Sequence, residues 1–160
     1  MQRAVPDGET NPQFEAALAT FQQYYLEHSL DTTRPYDGVP EMLGELRRRG
    51  CHTAVVSNKF DAATKELCRH FFADTIEVAV GEHEAAGIRK KPAPDTVEQA
   101  LRLLGVTKEN AVYVGDSDVD ILTARNAGLP CISVLWGFRS REFLQAHGAT
   151  SFVSNPLQLL

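Results

Sequence analysis

The chain has 160 residues, 43% of them hydrophobic, enough for one globular domain with a packed core. A formal net charge of -5 argues against a large basic footprint for nucleic acid, and no stretch is apolar over the length a membrane crossing needs. Three cysteines at long spacings suggest neither a disulfide framework nor a zinc motif, so the composition reads as a soluble, cytoplasmic protein with no membrane and no nucleic acid among its partners.

Residues 1–11 are polar and broken by Pro6 and Gly8, which predicts a flexible lead-in. Phe14, Ala17, Leu18, Phe21 and Tyr25 fall at helical spacing and predict a helix to about His28. Residues 31–38 read as a loop, and Pro40 to Arg49 as a second helix closed by Gly50. Thr53-Ala54-Val55-Val56 predicts a buried strand ending in Ser57-Asn58-Lys59. A helix from Asp61 to about Phe71 follows, then a strand over 75–80. Residues 81–95 read as a loop, with Asp95 expected to cap a helix through Leu104. Ala111 to Val114 predicts a third strand, and a helix follows to Asn126, stopped by Gly128 and Pro130. Cys131 to Leu135, a short helix over 141–147 and a small strand over 151–153 complete the chain. Cys51 and Cys131 open apolar runs and are expected in the core; Trp136 and Phe138 are expected to pack rather than bind.

Short apolar strands alternating with helices make βαβ units, which predicts an α/β fold with a Rossmann-like parallel sheet. In such sheets ligands bind at the carboxyl ends of the strands. Ser57-Asn58 lies at one such end and Gly115-Asp116 at another, and the loop between the second and third strands carries Lys90-Lys91. Asp116, Asp118 and Asp120 place three carboxylates within five residues, a donor set suited to a hard cation such as magnesium. A calcium hand does not fit, since Ile121 stands where its glycine belongs. Ser57 and Asn58 offer a hydroxyl, an amide and backbone N–H groups to an anion, and Lys91 could hold an ammonium over it. Each cluster taken singly is an ordinary cap, turn or surface pair; the argument lies in their order. The five histidines show no ligand spacing and read as structural or solvent-exposed.

The series VVSNK, KKPAPD and VYVGDSDVD resembles the haloacid dehalogenase superfamily, and within it the phosphoglycolate phosphatase-like members. The likeness runs from Tyr36-Asp37-Gly38-Val39 through Ala124-Arg125-Asn126-Ala127-Gly128 and Trp136-Gly137-Phe138. It implies a Mg2+-dependent phosphatase acting on a small phosphorylated metabolite. Ser57 would hydrogen-bond the transferring phosphoryl group and Asn58 help position it. Lys91 would balance the charge of nucleophile and phosphate, with Lys90 as a register alternative. Asp116, with Asp120 in support, would hold the metal, and Asp118 falls at a variable position. Dehalogenases of the superfamily use no metal and carry a different acidic motif, so phosphate chemistry is implied over carbon–halogen cleavage. Residues 1–36 would be lead-in and the remnant of a helical cap, and 37–160 the haloacid dehalogenase-like core.

The family's first strand ends in Asp-x-Asp-x-Thr, whose first aspartate attacks phosphorus, and no such motif precedes Ser57. The first core strand is therefore expected to be missing, with the chain starting inside the cap and truncation favoured as the origin. In the resembled fold that strand separates the strand ending at Ser57 from the one ending at Gly115. Its loss would leave two unpaired edges. The edges could pair directly, or a strand-swapped dimer could fill the gap. Very low or no turnover is expected of the chain as written. Alternatives are a sugar-phosphate mutase or pyrophosphatase of the same family, and a non-catalytic remnant that binds magnesium and phosphate.

Overall fold

A computed structural model describes residues 4–160, and the chain divides into two compact units, one ending at Arg34 and the other spanning Pro35–Leu160. In the first unit a 3-10 turn at Gly8–Thr10 precedes α1 (Phe14–His28). That turn falls within the stretch expected to be a flexible lead-in, of which residues 1–3 lie outside the described chain. Asn11 shapes the approach to α1: its amide donates to the Pro6 carbonyl (3.0 Å) and its side-chain oxygen accepts from the Gln13 N–H (2.8 Å).

The second unit alternates helices and strands: α2 (Val39–Arg48), β1 (Ala54–Phe60), α3 (Asp61–Phe72), β2 (Val78–Glu82), α4 (Asp95–Leu104), β3 (Tyr113–Gly115), α5 (Asp118–Ala127), β4 (Cys131–Val134), α6 (Arg141–Ala146) and β5 (Phe152–Val153). Every strand pair is parallel. The strands form two sheets: β1 pairs with β2, placing Ala54 opposite Val78, while β4 lies between β3 and β5. Among the described residues no ladder joins β1 to β3, so the direct pairing that could have closed the expected gap is not used. Val114 on β3 and Val112 just before it are exposed, which leaves apolar surface beside an unpaired edge.

Packing, rather than strand pairing, links the sheets. Val56 of β1 packs against a cluster of Val97 from α4, Tyr113 from β3 and Ala124 from α5. One turn earlier on α5, Ile121 faces a second cluster with Leu144 and Ala149. The helix thus presents apolar residues to both clusters through positions i and i+3.

Several boundaries differ from the sequence reading. β1 continues through Ser57-Asn58-Lys59 to Phe60, and β2 and β3 begin later than predicted, because Thr75 and Ala111 serve turns instead. Asp95 does not cap α4; its carboxylate accepts from the Arg89 backbone N–H (3.1 Å) and guanidinium (2.8 Å). That guanidinium holds the Asp95 carboxyl down at about 2. Cys51 is exposed rather than in the core, since it sits in the turn between α2 and β1.

The core assignment has a measurable consequence. Leu144 is completely buried whereas Leu103 is 62% exposed. Leu144→Ala is expected to lower the unfolding free energy by about 2–5 kcal/mol in a urea titration, and Leu103→Ala to change it by about 0.5 kcal/mol or less.

Candidate functional site

The side chain that organises the strand ends is Asp120, in the first turn of α5. Ser117 caps this helix, its Oγ accepting from the Asp120 N–H (3.3 Å), and this turns the Asp120 carboxylate back toward β3. Oδ1 accepts from the Lys91 ammonium at 2.7 Å and from the Tyr113 phenol at 2.9 Å. Oδ2 accepts from the Ser117 hydroxyl at 2.6 Å and the Asp116 backbone N–H at 3.2 Å. Four donors saturate a carboxylate. Gly115 makes the turn possible, because a Cβ there would overlap the Asp120 side chain.

Lys91 is held from β1. The Asn58 side chain accepts from the Lys91 N–H (2.6 Å) and donates to the Lys91 carbonyl (3.0 Å). Asn126 of α5 secures the next residue by donating to the Pro92 carbonyl (2.8 Å). The loop bearing Lys91 is thus pinned at one end to β1 and at the other to α5. The Lys91 and Asp120 side chains are 14% and 8% exposed, so their attraction is little screened by solvent.

Burial alone would raise the Asp120 pKa. The Lys91 charge and the hydrogen bonds from Lys91, Ser117 and Tyr113 outweigh it and hold the carboxyl below its ordinary range. Burial and the Asp120 charge push the Tyr113 phenol upward, so it stays a proton donor. Lys59, next to Asn58, is lowered by burial.

The residues singled out from sequence separate into groups. Lys91, Asn58 and Asp120 are brought together. Lys90, the register alternative, instead lies 3.9 Å from Glu84, whereas Lys91 meets Asp120. Ser57 Oγ accepts from the Lys59 N–H at 3.1 Å, which leaves its own proton for another acceptor. Asp116 Oδ2 accepts from the Phe138 N–H at 2.9 Å, and among the described residues its Oδ1 accepts no hydrogen bond. Asp118 pairs with Arg139 at 3.5 Å. All five histidines are exposed. Phe138 does not pack as expected: it is 86% exposed beside Asp116. Tyr113 was missed, because a tyrosine inside an apolar run reads as core. The signal that could have found it is a phenol seven residues before an aspartate in the first turn of the following helix.

The donor set can be tested against the expected cation. Among the described residues no group of three or more His, Cys, Asp and Glu side chains gathers as a metal site. Asp116 offers one uncommitted hard oxygen, and Asp120 none. That fits magnesium, which keeps several waters and takes one or two protein carboxylates, and it does not fit a full protein cage.

Known proteins share this arrangement of elements. The sequence profile of the haloacid dehalogenase-like hydrolase family matches residues 3–134. A phosphoglycolate phosphatase from Aquifex aeolicus is 34% identical over 78% of this chain and 58% of its own length. Pyrophosphatase PpaX from Halalkalibacterium halodurans is 30% identical over 82% of this chain and 60% of its own length. A crystal structure from Lactobacillus delbrueckii subsp. bulgaricus, of a protein provisionally assigned as a phosphoglycolate phosphatase, superposes with a TM-score of 0.87 at 41% identity. It is matched over 97% of this chain and 64% of its own, so the chain spans less than two thirds of these relatives.

The buried pair makes a pH-dependent prediction. Asp120 is depressed in the folded state, so the stability it contributes is present above its unfolded pKa, about 3.9, and is lost as pH falls through the folded value. Lys91→Met strands the carboxylate and should cost about 3–5 kcal/mol at pH 7. Burial is then opposed only by the remaining hydrogen bonds, so the Asp120 pKa should rise and the deficit should shrink as pH is lowered toward 5. Denaturant titrations at the two pH values check this; an equal deficit at both would contradict it. Tyr113→Phe should cost a smaller amount, about 1–2 kcal/mol.

Proposed function

The chain belongs to the haloacid dehalogenase-like hydrolase family, and we propose from that membership that its parent reaction is magnesium-dependent hydrolysis of a small phosphomonoester, with 2-phosphoglycolate the leading substrate. The observation that carries this reading is the Lys91–Asp120 pair, fixed at 2.7 Å beside Asp116 and tethered through Asn58 to the strand that presents Ser57.

On this reading the Ser57 hydroxyl donates to a phosphoryl oxygen, while one of its lone pairs accepts from the Lys59 N–H. Asn58 fixes the Lys91 backbone, and the Lys91 ammonium, anchored by Asp120, faces the phosphoryl charge. Asp116 would hold magnesium. The chemistry the ion would supply when bound is charge neutralisation at the phosphoryl oxygens, which in phosphoryl transfer matters more than covalent chemistry by the protein. Asp120 then supports the metal indirectly, by orienting Lys91 and the Asp116 backbone, rather than as a ligand. We place the reaction in the cytoplasm, a setting compatible with three free cysteines; no helix among the described residues is long and apolar enough to cross a membrane.

A second reading in the same class is a pyrophosphatase, favoured by the relative of that name. The Lys91–Asp120–Asp116 arrangement serves a phosphoanhydride equally well. A reading of another class is a non-catalytic module that binds magnesium and phosphate, which rests on the absence of Asp-x-Asp-x-Thr from the 160 residues. Without an aligned nucleophile, charge neutralisation alone does not give turnover.

Phosphate release from 2-phosphoglycolate and from an aryl phosphate, with and without magnesium, tests the reading. The 160-residue chain and its Asp116→Asn variant are both expected to show little or none. Magnesium-dependent release by the parent chain that Asp116→Asn abolishes would overturn the missing nucleophile and place it on another carboxylate.

The unpaired edges of β1 and β3 support a strand-swapped dimer as the partner state. Light scattering across a concentration series should show a dimer that Val114→Lys weakens; a monomer throughout would exclude it.

A further inference from the structure

The loop between β4 and α6 passes directly over Asp116. At Gly137 a Cβ would overlap the Asp116 carboxylate, so only glycine lets the backbone run so close. The next residue, Phe138, donates its backbone N–H to Asp116 Oδ2 at 2.9 Å. One residue further, Arg139 fastens the loop on two sides. Its Nε lies 3.5 Å from Asp118 Oδ1, a buried atom that has no hydrogen-bond partner among the described residues. Its guanidinium also lies 4.5 Å from the centre of the Phe143 ring on α6, within cation–π range. Asp118 stands in the same first turn of α5 that carries Asp120.

We propose that Arg139 is a positioning residue for Asp116: it latches the Gly137–Phe138 segment to α5 and α6, so that the Phe138 N–H holds one Asp116 oxygen and aims the other at a divalent cation. The physical reason is geometric. A single carboxylate facing a hydrated ion has no other protein ligand to limit its rotation, so its orientation depends on what its second oxygen touches. The loop provides that contact, and neither Gly137 nor Phe138 has a side chain able to secure the loop there. Arg139 has, through its ion pair with Asp118 and its contact with the Phe143 ring. This inference rests on the proposed role of Asp116 in holding magnesium.

Two measurements separate the latch from that role. The first needs no metal: amide hydrogen exchange at Phe138, followed by NMR. Exchange should quicken about tenfold or more in Arg139→Met, which keeps bulk over Phe143 but removes the charge. Arg139→Lys should restore much of the protection, because it still pairs with Asp118. Amides of β4 should be unchanged in both variants, which tells a local latch from general loosening. Unchanged Phe138 exchange in Arg139→Met overturns the proposal. The second measurement titrates Mn2+, as a probe for magnesium, by electron paramagnetic resonance. Arg139→Met should weaken binding severalfold and Arg139→Lys less. If Asp116→Asn binds Mn2+ as well as the parent chain, the metal role of Asp116 fails. If Asp116→Asn loses binding while Arg139→Met does not, that role stands and the latch is wrong.

Discussion

The ion pair between Lys91 and Asp120 is the constraint on which the rest of the candidate site depends. It joins elements that, among the described residues, no strand ladder connects. Asp120 belongs to α5 and is hydrogen-bonded to Tyr113 of β3, while the Lys91 backbone is clamped by Asn58 of β1. The β1–β2 and β3–β4–β5 sheets are separate, so the polar chain Asn58–Lys91–Asp120–Tyr113 and the apolar cluster around Val56, Val97 and Ala124 are what set their strand ends side by side. A buried pair is weak evidence for stability, since desolvation offsets much of the attraction. Its value here is register: every oxygen of Asp120 has a defined donor, so the carboxylate has one orientation and Lys91 one place to be.

Close backbone approach is the second constraint. Asp120 can fold back only because Gly115 has no side chain, and the loop after β4 can lie on Asp116 only because Gly137 has none. Both glycines act on the two aspartates the sequence put forward as metal ligands, yet they give them different work. Gly115 lets Asp120 turn inward, where protein donors consume it. Gly137 lets the loop backbone meet one Asp116 oxygen and, among the described residues, leaves the other uncommitted. Two carboxylates four residues apart thus acquire separate roles from the backbone beside them.

Much of this was legible in sequence, and for physical reasons. The alternation of short apolar runs with amphipathic stretches gave the α/β order, because burial on both faces of a parallel strand demands such runs. Lys91 was separable from Lys90 only by its place before Pro92; the structure sets Lys91 against Asp120 and Lys90 near Glu84. Boundaries were less legible. Thr75 and Ala111 have strand-like neighbours but serve turns, which local propensity does not distinguish. Phe138 was read as packing because exposed aromatics are uncommon, and nothing local signals that its backbone rather than its ring makes the contact. Tyr113 and Arg139 act through partners 7 and 21 residues away, Asp120 and Asp118. No periodicity marks such pairs.

The arrangement also bears on why a divalent cation suits the proposed chemistry. In the resting geometry Lys91 is neutralised by Asp120, so the pair offers a phosphate little net charge, and Asp116 adds a negative one. A phosphomonoester carries about -1.5 to -2 near neutral pH. Hydrogen bonds from Ser57 and backbone groups would orient such an anion, but they would not offset that accumulation of charge in a partly buried setting. Shifting Lys91 toward the phosphate would leave Asp120 buried with two hydroxyls and one N–H, a costly exchange. A hard dication beside Asp116 removes the conflict, because it balances the incoming charge while Lys91 stays where Asp120 and Asn58 hold it. With every Asp120 oxygen already met by protein donors, Asp116, which keeps one oxygen uncommitted among the described residues, is the seat proposed for that ion.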